Sequence, residues 1–185
     1  MSYAITINAD ASEIARLKQY LSHIPKAYNA AAKKAASETL KLIKQTASEE
    51  AAQVYAMSAP KIRKAIKLYP SSGTMKVSGR RKNLSDYLIT PKTPNRRKNL
   101  HGAVMRKGGL KAIPRGFLIR GKNSGKIIAM MRTGSKVDDI DPLTRPGIPQ
   151  MMENEQVNKA ISDMAESEVM KRLRLYVSQA VTQGR

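Results

Sequence analysis

AYNAAAKKAASETLKLIKQTASEEAAQV, residues 27–54, contains neither Gly nor Pro and is rich in Ala, Lys, Leu and Glu. Such residues lose little conformational freedom on a helix, so the stretch predicts a long helix from about 26 to 54. Pro25 suits its first turn, where a missing N–H does no harm. The stripe through Ala32, Ala35, Thr39, Leu42, Ile43 and Thr46 is narrow and small. It allows close helix packing but buries little area. Upstream, YAITIN at 3–8 alternates like a strand, and Asp10 or Ser12 can cap a helix EIARLKQYLSHI with Ile14, Leu17 and Leu21 on one face.

Downstream the texture changes. After Ser58-Ala59-Pro60 a short helix KIRKAI is expected, then Gly, Pro and brief apolar alternations. These predict strands near 66–69, 74–78, 86–90, 102–106, 116–120 and 126–132, joined by basic turns. Asp141-Pro142, Arg145-Pro146-Gly147 and Pro149 read as an extended linker. In the closing run ENEQVNKAISDMAESEVMKRLRLYVSQAVTQ, Val157, Ile161, Ala165, Val169, Leu173, Tyr176 and Ala180 fall at helical spacing. At about 1.5 Å per residue that helix reaches roughly 40 Å. The pattern predicts an α+β fold, in which a small mixed, mainly antiparallel basic β-sheet sits with long N-terminal and C-terminal helices. One domain over 1–185 is expected: an N-terminal strand and helices to 58, a basic β-rich core at 59–136 with an extended loop at about 79–102, then linker and helix at 137–185.

Leu, Ile, Val and Phe supply 37 of 185 residues, or 20%. A highly charged chain with so little apolar material struggles to fold alone, which points to a partner. Absence of Cys rules out disulfides and Cys-based zinc sites without fixing a compartment. MSYAITINAD lacks the pattern of a leader, and no run approaches the roughly 18 apolar residues of a membrane span.

The net charge of +20 is concentrated. Residues 1–60 carry 7 Lys/Arg against 5 Asp/Glu and residues 137–185 carry 6 against 8, whereas residues 61–136 carry 21 against Asp86 alone. Internal pairing cannot neutralise that segment, and self-repulsion on this scale calls for a polyanion or an acidic surface. RRKNL occurs twice in it, as Arg80-Arg81-Lys82-Asn83-Leu84 and Arg96-Arg97-Lys98-Asn99-Leu100. The flanks differ, so a repeated unit is not indicated. If the chain turns back near Pro91-Lys92-Thr93-Pro94 the clusters lie side by side, and their repulsion splays the loop until DNA or an acidic neighbour orders it. Arg80, Arg81, Lys82, Arg96, Arg97 and Lys98 are the candidate DNA- or polyanion-binding residues.

Catalytic readings find little support. His23 and His101 have no second imidazole or thiol nearby in sequence. GKNSGKI at 121–127 is one residue too short between its glycines for a phosphate loop and has Ile127 where a Ser or Thr belongs. A hairpin turn over Lys122-Asn123-Ser124-Gly125 accounts for it better. Asp138, Asp139 and Asp141 beside so basic a segment read as counter-charge or interface before metal ligands. Met130-Met131 and Met151-Met152 read as adaptable packing. No catalytic residue, metal, cofactor or small-molecule substrate is expected.

In the second half, GLKAIPRGFLIRGKNSGKIIAMMRTG at 109–134, DPLTRPGIPQMM at 141–152 and a long helix bearing KRL form an ordered series. With Ile113-Pro114-Arg115-Gly116-Phe117-Leu118-Ile119, Met131-Arg132 and Ile148-Pro149-Gln150-Met151-Met152 in its key places, the series resembles the phage minor tail protein Z family of tail-completion proteins. The likeness covers most of residues 26–181. Met131 replaces a usual aromatic, and TPKTPNRRKNLHG at 90–102 is more basic than the family pattern.

The resemblance implies a non-enzymatic virion protein of a phage or prophage, assembled in the host cytoplasm and placed at the neck of a tail. It would form a homo-oligomeric ring, of six subunits, between the tail terminator and head-proximal connector proteins. Such a ring surrounds the path of double-stranded DNA, which the basic segment would meet through phosphates. Val157, Ile161, Val169 and Leu173 are the candidate oligomer or partner interface. The alternative is a cellular, ribosome-associated type of nucleic-acid-binding protein; one Phe and no Trp leave it few stacking platforms.

Overall fold

Two long helices account for much of the chain. A computed structural model describes residues 2–6, 15, 25–95 and 97–183. Helix α1 spans Pro25–Val54 and helix α4 spans Glu155–Gln183. They pack side by side and antiparallel, with Ala31 and Ala35 against Leu173 and Val177 at one end. At the other end Leu40, Ile43, Ala47 and Ala51 share a core with Val157 and Ile161. Alanines on α1 let the backbones approach, so the little apolar material available is buried efficiently. The buried face is wider than the stripe read from the sequence: Ala35, Thr39 and Ile43 are on it, but Ala31, Leu40 and Ala47 join them while Ala32, Leu42 and Thr46 are only half-buried.

Between the helices in sequence lie the short helix α2 (Ala59–Lys64) and ten short strands; with β1 at Ser2–Thr6, ahead of α1, the described residues hold eleven. Every strand pairing among the described residues is antiparallel. The expected α+β class with long helices therefore holds, the strands being divided among four small sheets. In the first, β3 (Thr74–Ser78) pairs with both β1 and β2 (Ile66–Tyr69). Strand β4 is only Lys82–Asn83. The next sheet has β6 (His101–Ala103) between β5 (Leu88–Thr90) and β7 (Lys111–Ala112). Strands β8 (Gly116–Arg120), β9 (Ile127–Arg132) and β10 (Ile140–Pro142) form another, and β11 (Thr144–Arg145) pairs with β4.

The turn between β8 and β9 is the expected hairpin over Lys122–Gly125. Gly121 N–H donates to the Lys126 carbonyl at 2.9 Å, and Gly125 has φ +63°, where Gly is at ease. The stretch at 148–152 is a correction: Ile148–Met152 is a helix, α3, and not linker. Gly147 precedes it, Pro149 occupies its first turn, and Gly147 N–H donates to the Gln150 side chain at 2.9 Å. Ile148, Pro149, Met151 and Met152 are all buried, plugging the core beside β1 and β3. The helix expected over EIARLKQYLSHI, with its caps and His23, lies outside the described residues apart from Ala15.

The helix pair is also latched by polar groups. Arg172 Nη1 donates to Glu38 Oε2 at 2.5 Å and the Tyr176 hydroxyl donates to the same oxygen. Lys34 Nζ sits 4.4 Å from the Tyr176 ring centre. The tyrosine's hydrogen bond, aided by the charges of Arg172 and Lys34, holds the Glu38 carboxyl below its ordinary value, and the same bond pushes Tyr176 up.

Candidate polyanion-binding surface

Each RRKNL stretch ends on a leucine buried in the core, Leu84 and Leu100, both 1% exposed. That placement explains the spelling: an apolar anchor follows a polar turn, and the cations ahead of it stay outside. At the first site Asn83 acts as a clamp. Its Nδ2 donates to the Ala129 carbonyl at 3.0 Å, and its Oδ1 accepts from Ala129 N–H at 2.8 Å and Ser85 N–H at 3.0 Å. Leu84 N–H donates to the Leu143 carbonyl at 2.8 Å. A Cβ at Gly147 would stand 2.6 Å from the Arg80 carbonyl oxygen, so the chain leading into β4 and the approach to α3 cross too closely for any other residue. Arg80 and Arg81 are exposed and Lys82 is half-exposed, all on a fixed backbone.

At the second site Arg97 N–H donates to Asn95 Oδ1 at 2.9 Å, and the Leu100 carbonyl accepts from Ile113 N–H at 2.8 Å. Arg97 and Lys98 are exposed; Arg96 lies outside the described residues. The chain does turn back after β5, pairing Leu88 with Ala103 and Thr90 with His101. That register places residues 97 and 98 in the loop of this hairpin, whereas Lys82 belongs to a different sheet, opposite Arg145. The two clusters are thus not opposed across paired strands, although the chain turns back near Pro91-Lys92-Thr93-Pro94. The missing information was the register, which sequence-distant partners set.

Like charges are nevertheless brought together, at places the sequence reading missed. Lys67 stands opposite Lys76 across β2 and β3, and Lys82 opposite Arg145 across β4 and β11. Each such pair costs about 0.2–1 kcal/mol in the free protein. The first was findable, because a turn centred on Gly73 sets those two lysines on one face; the second was not. Among the described residues, the cations of 61–136 form ion pairs only at Lys61–Asp86, 3.8 Å, and Arg63–Glu49, 3.5 Å. Both pairs are largely solvent-exposed and worth little. The surface is therefore densely cationic with almost no compensation.

A cleft of about 610 Å³ opens beside this surface, with Met57, Leu88 and Ile127 among its apolar walls and Lys61, Lys92 and Arg106 among its cations. Arg106 is fixed by a hydrogen bond from Nε to the Ala52 carbonyl. Nearby, burial pushes the hydroxyls of Tyr87 and Tyr55 up from their ordinary value. Tyr87 donates to the Pro146 carbonyl at 2.6 Å, which makes it a packing strut. Among the described residues no group of three or more His, Cys, Asp or Glu converges as a metal site. Asp139 is occupied in its own turn, accepting from Lys136 N–H at 3.0 Å.

The apolar stripe expected at a subunit interface lies inside the chain instead. Val157 and Ile161 are 0% exposed and Leu173 is 5% exposed, all covered by α1, while Val169 is half-buried. Their burial is what holds α4 to the body of the protein. No family model, curated protein or solved structure matches the chain.

Proposed function

We propose that the chain is a structural subunit of a phage or prophage tail, acting in tail completion and head-tail joining as part of a ring around the DNA path. The basic segment is directed to DNA phosphates, and no catalytic step is involved. The carrying observation is the cationic surface of 61–136, with almost no compensation, and the like-charge pairs Lys67–Lys76 and Lys82–Arg145 across strands, which a free-standing protein gains nothing from keeping. The ordered motifs of the second half support the neck placement, since they supply a hairpin, a buried Ile148–Met152 plug and the closing helix. Phosphate contacts position a protein without reading bases, which suits a subunit that DNA of any sequence must pass.

Duplex binding measured against salt tests the DNA contact. Each phosphate neutralised contributes about 0.9 log unit of affinity per log unit of salt. Changing Arg80, Arg81, Lys82, Arg96, Arg97 and Lys98 to Gln flattens the slope by up to about 5, with no sequence preference before or after. A wild-type ring that shows no salt-dependent binding turns the basic segment toward an acidic protein ring. Absence of the protein from purified tails, together with its recovery on cellular RNA, replaces the neck assignment with the nucleic-acid-binding alternative.

A further inference from the structure

The turn between β9 and β10 is built to present two side chains outward. Thr133 N–H donates to the Asp139 carbonyl at 2.9 Å, Lys136 N–H to the Asp139 carboxylate at 3.0 Å, and Ile140 N–H to the Asp138 carbonyl at 2.8 Å. Asp139 is so close to Gly134 that a Cβ there would stand 2.2 Å from its Oδ2. With Asp139 turned inward, Val137 and Asp138 are left at the tip. Val137 is 79% exposed, well beyond the other exposed large apolar side chains among the described residues. One exposed valine alone means nothing. Beside Asp138, in a chain whose 61–136 segment has a single acid, it makes a tip of unusual chemistry: one apolar group and one free carboxylate.

The cleft beside β5 has the complementary chemistry. Met57, half-exposed Leu88 and Ile127 offer apolar wall, while Lys61, Lys92 and Arg106 stand among its lining against one carboxylate, Asp86, which Lys61 meets only at 3.8 Å. A chain cannot fill its own cleft this way. Ile127, in the lining, begins β9, and the Val137 turn follows its other end at Arg132, a rise of about 17 Å along the strand.

We propose that the Val137-Asp138 tip of one copy seats in the Leu88 cleft of the next copy, Val137 against Leu88 and Ile127 and Asp138 among Lys61, Lys92 and Arg106. The inference rests on the ring reading above and names its subunit contact. A tip and a cleft built from different residues make a head-to-tail contact, which closes into a ring when the rotation permits. The apolar tip supplies the buried anchor and the carboxylate fixes its orientation. It also relieves part of the cationic repulsion that each subunit carries.

The chain has no Cys, so introduced thiols are the sole ones. Both positions are exposed, which lets the substitutions leave the fold intact; an unchanged unfolding midpoint checks this. The double variant Val137→Cys/Leu88→Cys, in assembled particles treated with diamide, is expected to give a ladder of disulfide-linked multimers that reductant collapses. Particles with Val137→Cys alone, or with Leu88→Cys alone, give monomers, and a mixture of the two single variants gives dimers and nothing larger. Dimers from Val137→Cys alone overturn the proposal in favour of a two-fold contact. No ladder from the double variant, in particles whose mass shows a ring, overturns it and leaves the cleft to an acidic segment of another tail protein, with the ring reading intact. Monomers only, by mass, in both solution and particles overturn the ring reading and this contact together.

Discussion

Ile161→Ala separates a helix that completes its own subunit from one that waits for a neighbour. Ile161 is 0% exposed on α4 and belongs to the same core cluster as Leu40, Ile43 and Ala47 of α1. Truncating a buried Ile to Ala costs about 2–5 kcal/mol, the spread reflecting how far the site can collapse. About 3 kcal/mol, near the middle of that range, is the working value. Set against a total of about 5–15 kcal/mol for a domain, that is a severe loss. With a urea m-value of about 2–3 kcal/mol/M, the unfolding midpoint falls by about 1–1.5 M. Val169→Ala, on the same helix but only half-buried, moves it by less than half as much. The assay is urea unfolding followed by far-UV circular dichroism at two protein concentrations tenfold apart. An intramolecular core gives a midpoint independent of concentration, whereas an inter-subunit core gives one that rises with it. If Ile161→Ala leaves the midpoint in place and lowers only the oligomer mass, α4 is not packed on α1 in the free subunit and the reasoning fails.

The Glu38 latch makes the helix pair sensitive to pH at both ends. Glu38 is held below its ordinary value of 4.5, so its contribution is complete above that pH and disappears as pH falls through the lower folded-state value. Tyr176 is raised above its ordinary 10.0, so its contribution is complete below that and disappears as pH climbs through the folded-state value. Thermal midpoints of wild type and Tyr176→Phe should therefore differ on the plateau between these limits and converge in acid; parallel profiles down to pH 2 contradict the latch. Lys67→Glu replaces a like-charge pair across β2 and β3 with an opposite-charge one. It should stabilise the free protein by about 0.5–1 kcal/mol at low salt while weakening duplex binding, and a variant that binds duplex as tightly as wild type removes Lys67 from the DNA-facing surface.

How much of this was legible depended on the length of each element. The long helices and the strands at 66–69, 74–78, 116–120 and near 126–132 carry enough residues for a period to be visible. Strands β4, β7 and β11 have two residues each and no period to read. The buried face of α1 was misjudged along its edges because Ala is almost neutral as a core signal, and the partner decides which alanines are covered. Gly147 and Pro149 read as linker residues in the sequence, although Gly before a helix and Pro in its first turn are also start signals; the buried methionines after them tip the balance. In the candidate site the local spelling showed where the cations are, but their neighbours depend on registers between strands that lie as far apart in sequence as Lys82 and Arg145.

Fixing cations on short strands also bears on the kind of partner they meet. A disordered basic tail binds polyanions without straining any fold, but it loses conformational freedom when it does so. Here Leu84 and Leu100 pin the two clusters to the core, Asn83 clamps the first, and the lysines of β2 and β3 stand at a fixed register. The protein tolerates repulsion while free, and little remains to be ordered on binding. Such an arrangement gains over a loose tail only against a partner whose charges are themselves regularly spaced and held in place. A DNA duplex threading a ring meets that requirement, and so does a facing acidic ring of matching symmetry. The salt series distinguishes the two, because only the first releases the counterions condensed on a duplex.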